Sequence, residues 1–210
     1  MTAPADDLLP TLFGDLPMDA WPVGDDATGE PWAGFIRARR HLADGDQDLA
    51  IREWSQIATF TGGESRHVLQ AWHFLRACNV HPDESIASEA LGVVVQVTVD
   101  GGHDTLAAYA DGSVRYLNHA GGASIVDEPP AEVAPKVAAL IAAGTALSAQ
   151  IGPWDQPELP PLPVGHGRLL MLTRSGHRFG QGPDAALQQQ PGASELFGAA
   201  TDLLVAVVAL

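Results

Sequence analysis

The eight histidines of this sequence are its side chains best suited to metal binding or acid–base chemistry. Three of them, His103, His119 and His177, lie in or beside predicted connections between strands, and Asp104 directly follows His103. Imidazole and carboxylate groups are common ligands for divalent cations. If these connections meet at one edge of a sheet, the four side chains form a metal or small-molecule site, with hydrolysis as one activity it would allow. Otherwise they are solvated turn residues.

Other sequence patterns typical of catalysis do not occur. There is no Gly-x-Ser-x-Gly motif, and Ser175 is separated from His177 by one glycine in a predicted turn. The glycine pairs at 165–167 and 180–182 are not followed by the Lys-Ser/Thr of a phosphate-binding loop. Cys78 ends an apolar helix, a position typical of a small buried hydrophobe. We therefore predict no catalytic residue and no cofactor, and favour a non-enzymatic interaction or adaptor module that uses its helical hairpins, an exposed sheet edge, or both.

A second candidate site lies in the helical part of the chain, where tryptophan and arginine recur. Both residue types are over-represented at protein–protein interfaces. The residues concerned are Trp32, Trp54, Trp72, Arg66 and Arg76. Amphipathic helices also bury such residues between them. The sequence therefore predicts either an interaction surface or a tryptophan-rich core.

The charge of the chain limits its partners. Its 210 residues carry a net charge of −15 and a single lysine, Lys136. Binding to nucleic acid relies on clustered Lys and Arg, and anionic membrane surfaces repel an acidic protein for the same reason. We therefore expect a protein partner, basic if it is steered by charge, and neither nucleic acid nor membrane. A homodimer through a sheet edge or the apolar C-terminal helix is a further expectation.

Sequence features also indicate a location. The N-terminal stretch is acidic and interrupted by prolines, unlike a signal or transit peptide. No uninterrupted apolar run reaches the ~18 residues of a membrane span. Cys78 is the only cysteine, so an intrachain disulfide cannot form. We predict a cytoplasmic protein, and its Ala, Arg, Gly and Pro bias is typical of bacteria with GC-rich genomes.

The segment from 91 to 127 indicates the fold class. It contains four short apolar stretches separated by glycine-centred turns, at 92–99, 105–110, 114–118 and 124–126. Asp111-Gly112 is the strongest of these hairpin signals. Connections this short join antiparallel strands only. Two further strands are predicted at 168–173 and 177–180, which gives an antiparallel sheet of about six strands.

Helical periodicity precedes this sheet. Apolar residues recur every three or four residues in predicted helices at 46–60 and 64–77, after a first helix that begins at Pro31. A short fourth helix is predicted within 82–90. These spacings predict helical hairpins over residues 31–90.

One of these hairpins resembles part of a known repeat. Gly45, Ala50, Trp54 and Ile57 follow the spacing found in the second half of a tetratricopeptide-type repeat, where a small residue allows two helices to approach closely. The resemblance covers at most one repeat and implies an αα-hairpin.

The remaining segments complete an α+β prediction. Residues 1–30 are predicted as an extended, acidic, proline-rich arm whose apolar side chains dock on the body. Residues 91–210 are predicted as an antiparallel α+β domain with a proline-rich connector at 152–165. Alanine-rich and apolar helices, at 132–150, 184–190 and 194–210, are expected to cover one face of the sheet.

Overall fold

The computed structural model of the chain describes residues 11–22, 24–156 and 158–210. In this part of the chain helices come first and a six-stranded antiparallel sheet with covering helices follows, which confirms the predicted α+β class. After a short 3₁₀ helix at Met18–Ala20, the α-helices are α1 (Trp32–Ala43), α2 (Gln47–Ala58), α3 (Ser65–Ala77), α4 (Glu84–Ala87), α5 (Ala134–Ser148), α6 (Asp184–Leu187) and α7 (Pro191–Val208). The strands are β1 (Ala90–Val99), β2 (Gly102–Tyr109), β3 (Val114–Leu117), β4 (Ala123–Val126), β5 (His166–Thr173) and β6 (Gly176–Pro183). Residues 1–10 and Val23 of the predicted arm and Pro157 of the predicted connector lie outside the described residues.

The strands form one sheet in the order β4-β3-β2-β1-β5-β6, and every neighbouring pair is antiparallel. Tight turns connect β1, β2, β3 and β4 one after another. In the β2–β3 turn Gly112 has a φ of +97°, a backbone conformation that glycine adopts without steric cost. The chain then returns through α5 and the proline-rich segment. This return places β5 beside β1, so that β1 is hydrogen-bonded on both sides.

The face of the sheet that carries Val93, Val95 and Met171 is called the roof face here. It packs against α5 and α7, whose fully buried residues include Leu140 and Leu203. Because both helices are almost uncharged, they can cover this face without burying unpaired polar groups. The roof face therefore holds the largest apolar core of the described residues.

α5 comes closest to the sheet at Gly144. A Cβ atom on this residue would lie 2.3 Å from Cγ2 of Val93 and 3.5 Å from Cγ of Met171. Glycine lowers helix propensity relative to alanine, but no larger residue fits this contact. The close approach explains the glycine in an alanine-rich helix.

The opposite face, called the front face, carries Val94, Gln96 and Leu170. It packs against α3 and the segment at residues 11–16, which adds the buried side chains of Leu12 and Phe13. The sequence predicted helices over one face only. In the structure both faces of the sheet are covered by other parts of the chain, so that β1 is buried on both sides along most of its length.

The helical hairpin α1–α2 and the helix α3 stand in front of this face. Ala50 and Trp54 are fully buried in the hairpin core, as the repeat-like spacing implied. α3 begins with a capping box in which Glu64 accepts a hydrogen bond from the first helical turn and Nδ1 of His67 accepts one from the Glu64 N–H at 3.0 Å. This cap fixes where α3 starts against the sheet.

α7 is longer than the sequence predicted. It has 18 residues and a mean hydropathy of 1.3, so by length and composition it is the one helix of the described residues that reaches the threshold for a membrane span. Its buried residues, Ala193, Leu196, Ala200, Leu203 and Val207, recur at helical spacing on the side that faces the sheet. The opposite side of the helix exposes further apolar residues, Val205 and Val208, and 28% of the segment is buried.

Candidate functional site

Two of the predicted metal-site residues meet at one end of the sheet. Nδ1 of His119 lies 2.8 Å from Oδ1 of Asp104, and the His119 backbone N–H donates to the same oxygen at 2.9 Å. The Tyr116 hydroxyl donates to Oδ2 at 2.8 Å. Burial alone would raise the pKa of Asp104, but these hydrogen bonds from His119 and Tyr116 outweigh it and lower the pKa. The carboxylate therefore anchors an exposed imidazole.

The other two residues of that prediction lie elsewhere. His103 pairs with Thr98, and because successive strand residues point to opposite faces, its side chain leaves the sheet on the side opposite Asp104. His177 pairs with Leu172 at the far end of the neighbouring strands. In the described ranges, no three His, Cys, Asp or Glu side chains are grouped in a way that could hold a metal ion.

Most of the predicted interaction residues have partners inside the fold. Trp54 is fully buried, and the ring of Trp32 packs on Trp21 and His67 with centroids 5.0 and 4.8 Å apart. Trp72, like Trp32, is half-buried and packs against the core of the helical hairpin. Of the three predicted tryptophans, Trp72 alone lines an open groove.

The two predicted arginines act as braces between elements. Arg66 pairs with Glu64 and lies over the ring of Tyr109, 5.8 Å from its centroid. Arg76 donates to the backbone carbonyl of Arg174 at 2.6 Å, which ties α3 to the β5–β6 turn. Both side chains therefore hold the helical front end against the sheet.

The groove at Trp72, called the Trp72 groove, runs between α3, the end of α2 and one end of the sheet. Its volume is about 450 Å³. The apolar lining residues are Phe60, Val68, Trp72, Ile86 and Leu91, and the charged ones are Asp111 and Arg174. Phe60 remains 36% exposed at the rim. An apolar trough with a few polar groups is the general form of a binding site.

Asp111 ties the floor of this groove to α3. Its Oδ2 accepts a hydrogen bond from the Ser65 backbone N–H at 2.5 Å, and its own N–H donates to Oγ of Ser65 at 3.0 Å. Its Oδ1 accepts from the Ser113 N–H at 2.8 Å. Burial opposes ionisation of Asp111, but the hydrogen bonds from Ser113 and Ser65 together lower its pKa. The carboxylate is therefore charged near neutral pH.

A titratable cluster that the sequence did not predict lies beneath residues 11–16. Asp15, His73, Arg76 and His177 meet there, with Oδ2 of Asp15 3.9 Å from Nδ1 of His177. Burial raises the pKa of Asp15 to about 6, although its own backbone N–H and Arg76 oppose the change. Burial, and then the charge of Arg76, lower the pKa values of His73 and His177 to about 4.

Side chains of α3 and β2 hold the backbone of residues 11–16 over this cluster by hydrogen bonds. Gln70 exchanges two hydrogen bonds with the backbone of Leu16, at 3.0 and 2.8 Å, and is itself fully buried. The Tyr109 hydroxyl donates to the carbonyl of Leu12 at 2.7 Å. Neither partner could be read from the sequence, because Gln70 and Tyr109 are distant from the segment along the chain.

A second unpredicted feature is a row of polar side chains across the front face, called the polar row. Nε2 of Gln96 donates to Oγ1 of Thr105 at 3.1 Å, while its Oε1 accepts from Nη1 of Arg168 at 3.0 Å. Arg168 continues the row to Gln181 at 3.0 Å and donates to the carbonyl of Pro160. The row fastens the proline-rich segment to the sheet.

Comparisons of the chain with protein families, with curated proteins and with solved structures found no match. Its function is therefore inferred from its own side chains. The Trp72 groove combines concavity, aromatic lining and charge, whereas the Asp104–His119 pair lies at an exposed strand end.

Proposed function

We propose that this chain is a non-enzymatic, cytoplasmic protein-interaction module that binds a segment of another protein in the Trp72 groove. The observation that carries the proposal is the open groove between α3 and the sheet, lined by a half-buried tryptophan and an exposed phenylalanine. Tryptophan in a concave, apolar setting is a frequent centre of protein interfaces.

Burial of apolar surface supplies the affinity in this proposal. Phe60, Val68 and Trp72 present side chains that an incoming apolar group would remove from water, at about 25 cal/mol per Å² of buried area. A groove of about 450 Å³ is within the size of ligand sites in general. The net charge of −15 adds a preference for a basic partner.

The groove is also braced before any partner arrives. The reciprocal bonds between Ser65 and Asp111 fix one wall. Oγ of Ser175 donates to the carbonyl of Ala87 at 2.7 Å, and Arg174 pairs with Glu89, which fixes α4 at the other wall. Preorganisation of this kind lowers the entropic cost of binding.

The test is selection of binding peptides from a displayed random library, followed by measured affinities for the purified protein and two variants. We expect selected peptides to bind Trp72→Ala at least tenfold more weakly, because the variant loses most of the aromatic wall. Trp154→Ala is the matched control, since Trp154 packs on Phe179 and does not line the groove.

Two results would count against the module. One is selection of no peptide above background. The other is equal binding by the native protein and Trp72→Ala with unchanged far-ultraviolet circular dichroism. Phe60→Ser serves as a second groove variant, because its exposed side chain contributes little to folding, so that a folding defect in Trp72→Ala does not leave the question open.

A further inference from the structure

The Trp72 groove contains one acidic group whose charge no described neighbour neutralises. Beside the groove, Arg174 pairs with Glu89 at 2.8 Å and Arg66 pairs with Glu64. Within residues 11–22, 24–156 and 158–210, no Arg, Lys or His forms an ion pair with Asp111. With Arg174 paired to Glu89, Asp111 is the one charged lining residue of the groove without an ion-pair partner among the described residues.

This charge is fixed in position and accessible. Backbone N–H groups of Ser65 and Ser113 hold the two carboxylate oxygens of Asp111, while the residue as a whole stays exposed. A carboxylate bound only by neutral donors retains a strong attraction for a cation that approaches from solvent. The apolar wall formed by Val68 and Trp72 belongs to the same groove.

We propose that the occupant of the groove is an extended segment of a basic protein in which a large apolar side chain stands next to a lysine or arginine; this inference rests on the proposed function. The apolar side chain lies against Val68, Trp72 and Leu91. The adjacent ammonium or guanidinium group pairs with Asp111.

Charge complementarity favours this occupant over the other classes. An acidic segment meets the carboxylate of Asp111 and the field of a chain with net charge −15. A second copy of the chain meets the same repulsion, because its 26 Asp and Glu outnumber its 11 Lys and Arg. A neutral apolar segment fills the trough but leaves the carboxylate unpaired. A cationic apolar segment satisfies both parts of the groove.

The experiment uses three short synthetic peptides, acetylated and amidated, in a Gly/Ser background. Their central pairs are Phe-Lys, Phe-Gln and Ser-Lys. We expect the Phe-Lys peptide to bind the native protein about three- to fivefold more tightly than Phe-Gln, the size of an exposed ion pair. This advantage should vanish in about 1 M NaCl, because salt screens exposed charges. Ser-Lys should bind at least about tenfold more weakly than Phe-Lys, because it lacks the buried ring.

A matched variant locates the charge. Asp111→Asn should remove the advantage of Phe-Lys over Phe-Gln, even if it also changes the affinity of both peptides by the same factor. Asp100→Asn, at an exposed position in the β1–β2 turn at the opposite end of the sheet, should leave the advantage intact. The peptide comparison itself is made on the native protein, so it stands even if Asp111→Asn fails to fold.

The outcomes separate the two proposals. Equal affinity of Phe-Lys and Phe-Gln for the native protein overturns the cationic partner and leaves the interaction module standing. Equal affinity of Phe-Lys and Ser-Lys overturns the apolar anchor. Absence of binding by all three peptides, together with an empty library selection, overturns both the inference and the proposed function.

Discussion

The roof face and the front face of the sheet are made by the same six strands but differ in what covers them. The roof face packs on two nearly uncharged helices, and its buried contacts are aliphatic. The front face packs on α3 and residues 11–16, and it contains the polar row and the titratable cluster as well as apolar contacts. The Trp72 groove opens at its margin. The buried contacts of the roof face are thus largely apolar, whereas those of the front face mix apolar, polar and titratable groups.

This difference has a physical origin in the helices. α5 and α7 have few polar groups to satisfy, so they can lie flat on the sheet and approach it closely, as at Gly144. α3 carries Arg66, Gln70, His73 and Arg76, each of which needs partners or water. A helix of that composition leaves gaps and polar contacts where it meets the sheet. The groove is one of those gaps.

The largest effect is predicted on the roof face. Leu140→Ala should lower the free energy of unfolding by about 2–5 kcal/mol, because Leu140 is fully buried and its loss leaves a cavity. Denaturant titration measures the change, with Val208→Ala as a control at a position that is 64% exposed. Groove binding per folded molecule should stay the same. A decrease in the free energy of unfolding below about 1 kcal/mol would contradict the assignment of the main apolar core to the roof face.

A smaller loss is predicted for the polar row. Gln96→Ala should lower the free energy of unfolding by about 1–3 kcal/mol, because Thr105 and Arg168 each lose one buried hydrogen bond. The matched control is Gln150→Ala, because the side-chain amide of Gln150 donates its hydrogen bond to the carbonyl of Ala146 at an exposed helix end. Equal stability of Gln96→Ala and the native protein in denaturant titration would mean that the front face gains nothing from these bonds.

The smallest effect concerns the titratable cluster and depends on pH. The pKa of Asp15 is raised to about 6 in the folded protein, above its ordinary value of 3.8 in the unfolded chain. Its stabilising contribution is therefore present below about pH 4 and is lost as the pH rises towards 6. Asp15→Asn cannot ionise, so we expect it to be about 0.5–1 kcal/mol more stable than the native protein at pH 8, after allowance for partial exposure.

Thermal melts of both proteins from pH 4 to pH 8 test this sign. The lowered pKa values of His73 and His177 act in the opposite direction, since the unfolded chain binds their protons first as the pH falls. Their contribution is common to both proteins and cancels to first order in the difference. If the stability difference between the two proteins is constant with pH, or favours the native protein at pH 8, ionisation of Asp15 does not destabilise the folded protein and the prediction is wrong.

The sequence predicted the strands well because their signals are local. Asp111-Gly112 and the other glycine turns separate apolar stretches, and short turns allow antiparallel pairing alone. It did not predict that both faces are covered. In the sequence, Gln96 and Thr98 are polar residues on one side of β1. Only the tertiary structure shows that Gln96 is hydrogen-bonded to Thr105 and Arg168.

The candidate sites were predictable only in part, for the same reason. His119 was predicted as a site residue because it lies at a strand connection, and Asp104 because it directly follows His103, whereas the position of His177 depends on the register of β5 and β6. Trp54 and Trp72 have similar helical spacing in the sequence. Which of them is covered depends on how α2 and α3 meet the sheet, and a single sequence carries no direct signal of that packing.

The most direct test of the Trp72 groove is an NMR titration that follows the indole N–H signals of the five tryptophans. A groove-binding peptide from the library selection should shift the signal of Trp72 in a saturable way. The signals of Trp21, Trp32, Trp54 and Trp154 should stay in place, because none of these residues lines the groove. A saturable shift of Trp154 with Trp72 unmoved would place the binding surface elsewhere and contradict the account.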